Sequence, residues 1–113
     1  MFSRINRFHG HNSLRNVYQT GKSAYSQRAK LMWVPAGSLR VAVVVSKKVH
    51  KSAVVRNRIR RRLYEILRTY MLENGVAKAS IVLVVQNESL ATAPAEEVRE
   101  EIVSLLQKMD NIL

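Results

Sequence analysis

The sequence of 113 residues contains no cysteine, only two prolines and only four glycines. Without cysteine the chain can form no disulfide, no thiolate metal site and no cysteine nucleophile, so we expect a reducing compartment, the cytoplasm. Because hydrophobic residues make up 47% of the chain, a collagen-like or wholly disordered protein is excluded. No apolar run approaches the ~20 residues that span a bilayer, and the first residues lack the apolar stretch of a signal peptide.

Acidic residues are almost absent from residues 1–70, where Glu65 is opposed by 16 lysines and arginines. Residues 71–113 reverse the balance with three basic and seven acidic residues, and the whole chain carries a net charge of +11. So uneven a distribution predicts a basic surface that binds a polyanion and a neutral or acidic opposite side. Nucleic acid is the first candidate partner and an anionic membrane surface the second.

The hydrophobic pattern predicts a single domain over residues 1–113, with residues 1–11 as a loose basic arm. Three helices are indicated by apolar residues at helical spacing and by capping residues at their ends. The first runs from Asn12 or Ser13 to Gly21, the second over Ala53–Leu72, and the third begins around Pro94.

Alternation of polar and apolar residues predicts a half-buried strand over Arg28–Val34. One set of side chains is expected in the core and consists of Ala29, Leu31 and Trp33. The other set is expected on the opposite face and consists of Arg28, Lys30 and Met32.

Two further strands are predicted. Leu39–Ser46 follows a turn at residues 35–38, and we expect it to form a hairpin with Arg28–Val34. Ile81–Val85 is β-branched and almost entirely apolar, which is typical of a central strand buried on both faces. Helices and strands together predict a small α+β sandwich.

Six arginines lie within residues 56–68, in the long second helix. At about 100° per residue, the apolar side chains of this helix fall within about a third of its circumference and are expected to dock on the sheet. These side chains are Val55, Ile59, Leu63, Ile66, Leu67 and Tyr70. The arginines are expected on the opposite side (Arg58, Arg61, Arg68), at one edge of the apolar stripe (Arg56, Arg60) and at the other edge (Arg62). Since Glu65 alone offsets them, a phosphate-binding surface is favoured over an ordinary solvated face.

Two short motifs precede and open this helix: Ser-Lys-Lys at residues 46–48, where a strand ends, and Arg-Asn-Arg at residues 56–58. In this order and spacing they resemble the signature of the bacterial ribonuclease P protein subunit. A weaker similarity lies in the first helix, because the family has a short helix there that ends in an aromatic residue and a glycine, as Tyr18 and Gly21 do.

The resemblance implies an α-β-β-β-α-β-α order in a small two-layer sandwich of the ribosomal protein S5 domain 2-like type, with a left-handed β-α-β crossover through the arginine-rich helix. It also implies a subunit of an endoribonuclease that binds the catalytic RNA of ribonuclease P and promotes removal of the 5′ leader from precursor tRNA. In this family the RNA with its bound Mg²⁺ carries out the chemistry, so the protein alone is expected to be inactive and to contribute no catalytic residue. One protein monomer per RNA, and no membrane partner, are expected.

The resemblance assigns two sets of RNA contacts. Contacts to the RNA subunit are expected from Lys47, Lys48, Lys51, Arg56, Asn57, Arg58, Arg60 and Arg61. Contacts to the leader, in a central cleft, are expected from Leu14, Tyr18, Arg28, Lys30 and Met32. Leu14 and Met32 stand where the family has aromatic rings, so leader stacking is expected to fall on Tyr18. His50 replaces a usual glycine, which makes positive φ less accessible to that loop.

No metal site is predicted in the protein. His9 and His11 lie at i, i+2 spacing in an unpatterned arm without a nearby carboxylate, so they and His50 are interpreted as surface residues. The four glutamates at positions 96, 97, 100 and 101 lie in the first turns of a helix, where the helix dipole already favours acidic side chains.

Three alternative functions would use the same basic helix. A ribosomal-type or chaperone-like protein would apply it to RNA with no role in cleavage. A DNA-binding regulator would insert it into a major groove, but base-reading residues are needed near the helix start and only Asn57 qualifies. A membrane-surface helix would need the apolar stripe that the sheet requires. The two motifs favour ribonuclease P over all three.

Overall fold

The computed structural model describes residues 11–113, with side chains from Arg15 onward, so the predicted arm lies outside the described residues except for its last position. The helices are α1 (His11–Thr20), α2 (Ala53–Asn74) and α3 (Ala95–Ile112). The strands are β1 (Lys22–Tyr25), β2 (Ala29–Pro35), β3 (Arg40–Val44) and β4 (Ala79–Val85). A 3₁₀ helix at Glu88–Ala91 connects β4 to α3. This order confirms the α+β fold.

The four strands described in residues 11–113 form one sheet in the order β1-β2-β4-β3. β2 pairs antiparallel with both β1 and β4, whereas β3 pairs parallel with β4. The predicted hairpin between Arg28–Val34 and Leu39–Ser46 is therefore wrong, because β4 lies between these two strands. Residues 81–83 of β4 are fully buried and face both sides of the sheet, which requires a central position. Alternation predicts the face on which a side chain lies but does not predict which strand lies next to it.

One face of the sheet packs against α2 and α3 and forms the main core. Trp33 is 1% exposed there, which confirms the predicted core side of its strand. The buried side chains of α2 are Ile59, Leu63, Leu67, Tyr70 and Met71. Those of α3 are Val98, Ile102, Leu105, Leu106 and Met109. Since burying one aliphatic side chain contributes ~1.5–3 kcal/mol, these two stripes hold both helices on the sheet.

The opposite face, which we call the α1 face, carries a second and smaller cluster. Val17 of α1 packs there on Met32 and Val82 from the two middle strands. Beyond this cluster, the half-buried Lys30 and the exposed Tyr25 lie towards the β1 edge of the same face. Among the described residues, α1 therefore covers the middle of this face and leaves the part near β1 accessible.

Capping residues set the ends of the long helix and the start of the last one. Ser52 is the N-cap of α2, and its Oγ accepts a hydrogen bond from the Val55 N–H at 3.4 Å. Gly75 follows the last residue of α2 with a φ of 90°, a conformation that favours glycine. Pro94 is the N-cap of α3 rather than its first helical residue. No helix in the part of the chain that the structure describes is long and apolar enough to cross a membrane.

Candidate nucleic-acid interface

The loop between β3 and α2 places three lysines at the N-terminus of the arginine-rich helix. The loop turns where the Val49 N–H donates to the Ser46 carbonyl at 3.1 Å. Lys47, Lys48 and Lys51 are all exposed around this turn. Because the first N–H groups of a helix add partial positive charge, this end of the molecule favours an anionic partner.

Arg58 and Arg61 are exposed on the first half of α2. Neither guanidinium group forms a hydrogen bond or an ion pair within the part of the chain that the structure describes. They are three residues apart and therefore lie on one face of the helix. Asn57 beside them is also exposed. We call Lys47, Lys48, Lys51, Asn57, Arg58 and Arg61 the arginine surface.

Arg56 and Arg60 lie at the edge of α2 that faces the end of β3, as the helical spacing predicts. Both are half-buried. Arg60 donates to Asn57 Oδ1 at 2.7 Å and to the Val45 carbonyl at 3.4 Å. Arg56 has a buried Nε without a hydrogen-bond partner. These two arginines are held closer to the protein than Arg58 is, so part of their hydrogen-bonding capacity is already directed inward.

The two remaining arginines of α2 are engaged within the protein. Arg62 donates to the carbonyls of Leu90 and Ala93, both at 2.8 Å. Arg68 forms an ion pair with Glu65 at 2.5 Å, and its hydrogen bond to that carboxylate lowers the pKa of Glu65. Periodicity gave the sides of the helix correctly, but it could not show which arginines have a partner in the fold.

His50 stabilises the start of α2. Its Nδ1 accepts a hydrogen bond from the Ser52 N–H at 3.0 Å, and its Nε2 lies 3.9 Å from a Glu88 carboxylate oxygen. Among the described residues, no residue other than glycine has a positive φ, so His50 fits its loop without backbone strain. An open cavity of about 320 Å³ is lined by His50, Val55, Arg58, Asn87, Glu88, Ser89, Ala91 and Thr92.

The predicted leader contacts are only partly brought together. Tyr18 is 51% exposed on α1, one residue after the packed Val17, and Lys30 is half-buried on the α1 face of β2. Met32 lies on the predicted face, but it is only 3% exposed beneath α1, so it offers little surface to a leader, and its contact with the leader stays a prediction. Its exposure is small because the α1 face is itself packed at this point. Leu14 belongs to α1, but its side chain lies outside the described residues.

Arg28 does not lie on the face that carries Lys30, so its predicted placement on that face is wrong. It is 8% exposed and forms ion pairs with Glu97 at 3.0 Å and with Glu101 at 2.8 Å, both in α3. Position 28 precedes the first residue of β2, so strand alternation does not govern its direction. A buried charge also requires a partner of opposite charge, and α3 on the core side of the sheet supplies two.

Tyr25 is an exposed aromatic residue that the sequence reasoning did not single out. It lies at the end of β1 and is 59% exposed, with Lys30 Nζ 5.2 Å from its ring centroid. β1 has only four residues, of which Ala24 alone is buried. Such a short strand has too little hydrophobic pattern to be located from the sequence, although the resemblance implied a strand in this region.

The groups considered for a metal are not clustered in the described residues. His9 lies outside the residues that the structure describes, as does the side chain of His11. Glu97 and Glu101 are paired with Arg28, while Glu96 and Glu100 are exposed. Among the side chains that the structure describes, from Arg15 onward, no three histidines or acidic residues are placed so that they could hold a metal ion.

Comparison with known proteins identifies the family. Residues 2–110 match the sequence model of the family described as Ribonuclease P. The chain is 32% identical over 106 residues to the ribonuclease P protein component of Clostridium botulinum, covering 91% of this chain and 93% of that protein. It is 42% identical over 88 residues to the Thermus aquaticus protein, covering 78% of this chain and 51% of that protein. The chain thus spans about half the length of its Thermus relatives.

Solved structures show the same fold. A mutant of the Staphylococcus aureus RNase P protein superposes with a TM-score of 0.82 at 16% identity, covering 95% of this chain and 90% of that one. The RNase P protein from Thermotoga maritima superposes with a TM-score of 0.74 at 23% identity, covering 84% and 89%. With the family match over nearly the whole length, these findings show that the chain belongs to the ribonuclease P protein family.

Proposed function

We propose that this protein is the protein subunit of ribonuclease P, which binds the catalytic RNA and the 5′ leader of precursor tRNA and promotes Mg²⁺-dependent removal of that leader. The observation that carries the proposal is the arginine surface. Its five cationic side chains have no acidic partner among the described residues, although the domain has acidic residues elsewhere. Unpaired positive charges at this density repel one another, and an RNA backbone would remove that repulsion.

Arginine in particular supports an RNA partner. The guanidinium groups of Arg58 and Arg61 can each bind two phosphate oxygens in one plane. Arg56 and Arg60 lie beside them and are included in the proposed contact, with the lysines of the preceding loop. We therefore assign this end of α2 to the RNA subunit.

Leader binding is assigned to the α1 face of the sheet. Tyr18 offers an exposed ring for stacking on a base, and Lys30 offers a positive charge for the backbone. Stacking with cationic contacts holds single strands without reading their sequence.

The described residues do not fit a Mg²⁺ site of the protein's own, since no cluster of acidic side chains is free to ligate one. We therefore assign the ion to the RNA and the substrate, and no step of the reaction is routed through protein ligands. The protein contributes positive charge and substrate positioning, as one copy per RNA in the cytoplasm.

The proposal is tested by cleavage of a precursor tRNA at low Mg²⁺ concentration by a bacterial ribonuclease P RNA, with and without the protein. We expect stoichiometric protein to restore cleavage and protein alone to cleave nothing. Binding of the RNA without any gain in cleavage would overturn the proposal and favour a chaperone-like RNA-binding protein. Cleavage by protein alone would overturn the assignment of the chemistry to the RNA.

A further inference from the structure

Tyr25 and Lys30 form a pair across the β1–β2 hairpin. They are directly opposite each other in the antiparallel register, and Lys30 Nζ lies 5.2 Å from the Tyr25 ring centroid. The tyrosine nevertheless remains 59% exposed. The lysine therefore makes a cation–π contact with the ring, and a large part of the aromatic surface remains free for a further contact.

The pair lies on the α1 face, where the leader is proposed to bind. Ala24, the neighbour of Tyr25, packs in the main core opposite Leu31. Because successive side chains of a strand alternate, Tyr25 and Lys30 belong to the opposite face. The next outward row of the same hairpin on that face pairs Ser23 with Met32.

Tyr25 provides an aromatic ring near position 32, where this chain has a methionine in place of the aromatic residue of the family. Met32 is buried beneath α1 and has no aromatic ring, so no base can stack at that position. Tyr25 lies one row closer to the hairpin turn than Met32 and one strand further out. Tyr25 thus places an aromatic surface at the border of the α1 face, on β1, the strand that directly follows α1 and Tyr18.

The hairpin turn that carries the pair is held in place from the core side. Glu101 of α3 accepts hydrogen bonds from Ser26 Oγ at 2.6 Å and from the Arg28 N–H and Nε, both at 2.8 Å. Tyr25 directly precedes this clamped turn, so its backbone position is fixed before any ligand binds. A fixed platform loses little conformational entropy on binding.

We propose that Tyr25 stacks on a base of single-stranded RNA while Lys30 contacts an adjacent phosphate, as a second stacking position for the leader besides Tyr18. The inference rests on the proposed function and names a part of its substrate surface. Because the face of any base can stack on a tyrosine, the contact favours single strands without selecting a sequence.

The test compares Tyr25→Ala and Tyr25→Phe in the reconstituted complex with RNA, using precursor tRNAs whose leaders have one nucleotide or several. For the long leader we expect Tyr25→Ala to weaken substrate affinity roughly tenfold, and we expect no change for the short leader. Tyr25→Phe retains the ring and should bind as the unsubstituted protein does. Leu72→Ala removes a large apolar side chain from α2 that is still more exposed than Tyr25, at 73% against 59%, and serves as the matched control.

Two further readouts address the two halves of the pair. A 2-aminopurine base in the long leader should lose fluorescence on stacking, and Tyr25→Ala should abolish that quenching while Leu72→Ala preserves it. Lys30→Gln should reduce the slope of log affinity against log salt concentration by about 0.7, the value for one phosphate of a single strand.

The outcomes separate this inference from the proposed function. Long-leader affinity that is unaffected by Tyr25→Ala, in a complex that cleaves normally, overturns the inference and leaves the function standing. Equal loss on both substrates overturns it as well, since the ring would then act on the tRNA or on the fold. If the unsubstituted protein neither restores cleavage nor favours the long leader, the proposed function and this inference both fail.

Discussion

Glu101 of α3 accepts two hydrogen bonds from Arg28, one from the backbone N–H and one from Nε, both 2.8 Å long and across 73 positions of sequence. Burial raises the pKa of Glu101, but the hydrogen bonds from Ser26 and Arg28 outweigh burial and lower that pKa below its ordinary value. The hydrogen bond to Glu101 is also the largest cause of the raised pKa of Arg28. The pair therefore stays charged at neutral pH and joins the first hairpin to the last helix.

The first prediction concerns the stability that this pair provides. A carboxyl group with a lowered pKa stabilises the fold above its unfolded pKa, about 4.3, and loses that contribution as pH falls through the folded pKa. We expect Glu101→Gln to lower the free energy of unfolding by about 1–3 kcal/mol near neutral pH, and this difference to shrink below about pH 4. Urea unfolding over a series of pH values measures it. As the control, Glu96→Gln on the exposed side of α3 should change stability by less than ~0.5 kcal/mol, and a difference independent of pH at Glu101 would contradict the prediction.

The sequence predicts which side chains face the core better than it predicts which strands are neighbours in the sheet. Trp33 and the apolar stripe of α2 are on the predicted sides because periodicities of two and of about 3.6 residues report which side chains avoid water. The order of strands depends on which strand is apolar on both faces and must therefore lie inside the sheet. This can be decided only by comparing strands that are far apart in the sequence. β4 takes the central place although it follows β3 only after the 22 residues of α2, so the hairpin suggested by closeness in sequence does not form.

In the candidate site as well, exposure could be predicted from the sequence, whereas contacts between distant residues could not. Exposure of Arg58 and Arg61 follows from helical periodicity and was predictable. The pairing of Arg28 with α3 was not, because it joins residues from opposite ends of the chain at a position just outside a strand. Tyr25 could have been found only with the β1–β2 register known, since four residues with one buried side chain carry too little pattern.

The second prediction separates RNA-binding arginines from structural ones. We expect the double substitution Arg58→Ala, Arg61→Ala to weaken affinity for the RNA subunit at least tenfold and to lower the slope of log affinity against log salt by about 2, with melting temperature unchanged. Arg62→Ala should do the opposite, because it leaves the Leu90 and Ala93 carbonyls without their donor. It should cost about 1–3 kcal/mol of stability with little loss of affinity. Filter binding at several salt concentrations and thermal unfolding decide between the two patterns, and normal RNA binding by the double variant would refute the assignment.

The third prediction concerns Tyr18 on α1. Tyr18→Ala should leave affinity for the RNA subunit unchanged and weaken binding of precursor tRNA only when the leader has several nucleotides, by roughly fivefold or more per lost stacking contact. Tyr18→Phe should retain binding. If Tyr18 and Tyr25 stack on different bases, the free-energy losses of their alanine variants should add in the double variant. Equal effects with and without a leader would remove Tyr18 from the site.

The fourth prediction tests the close approach of α1 to the sheet. A Cβ atom at Gly21 would lie 2.4 Å from the Val17 carbonyl oxygen and 3.1 Å from that of Trp33. Both are backbone atoms, so Gly21→Ala must displace α1 and should destabilise the protein by about 2–4 kcal/mol. A Cβ at Gly37 would meet nothing within 4 Å, so Gly37→Ala is the matched control and should change the melting temperature little. Equal melting temperatures for the two variants would show that α1 adapts without cost.

The fifth prediction concerns the far ends of α2 and α3, where the Tyr70 hydroxyl donates to an Asp110 carboxylate oxygen. Burial, with this hydrogen bond and the nearby negative charge as further causes, raises the pKa of Tyr70 to about 12. Since this pKa is above the unfolded value of about 10, the contribution of Tyr70 is fully present below about pH 10 and is lost as pH rises towards 12. Comparing tyrosinate absorbance of the unsubstituted protein with that of Tyr70→Phe should reveal one phenol that ionises near pH 12. Asp110→Asn should lower the pKa of Tyr70 without returning it to about 10, because burial remains; a return to that value would make Asp110 the main cause.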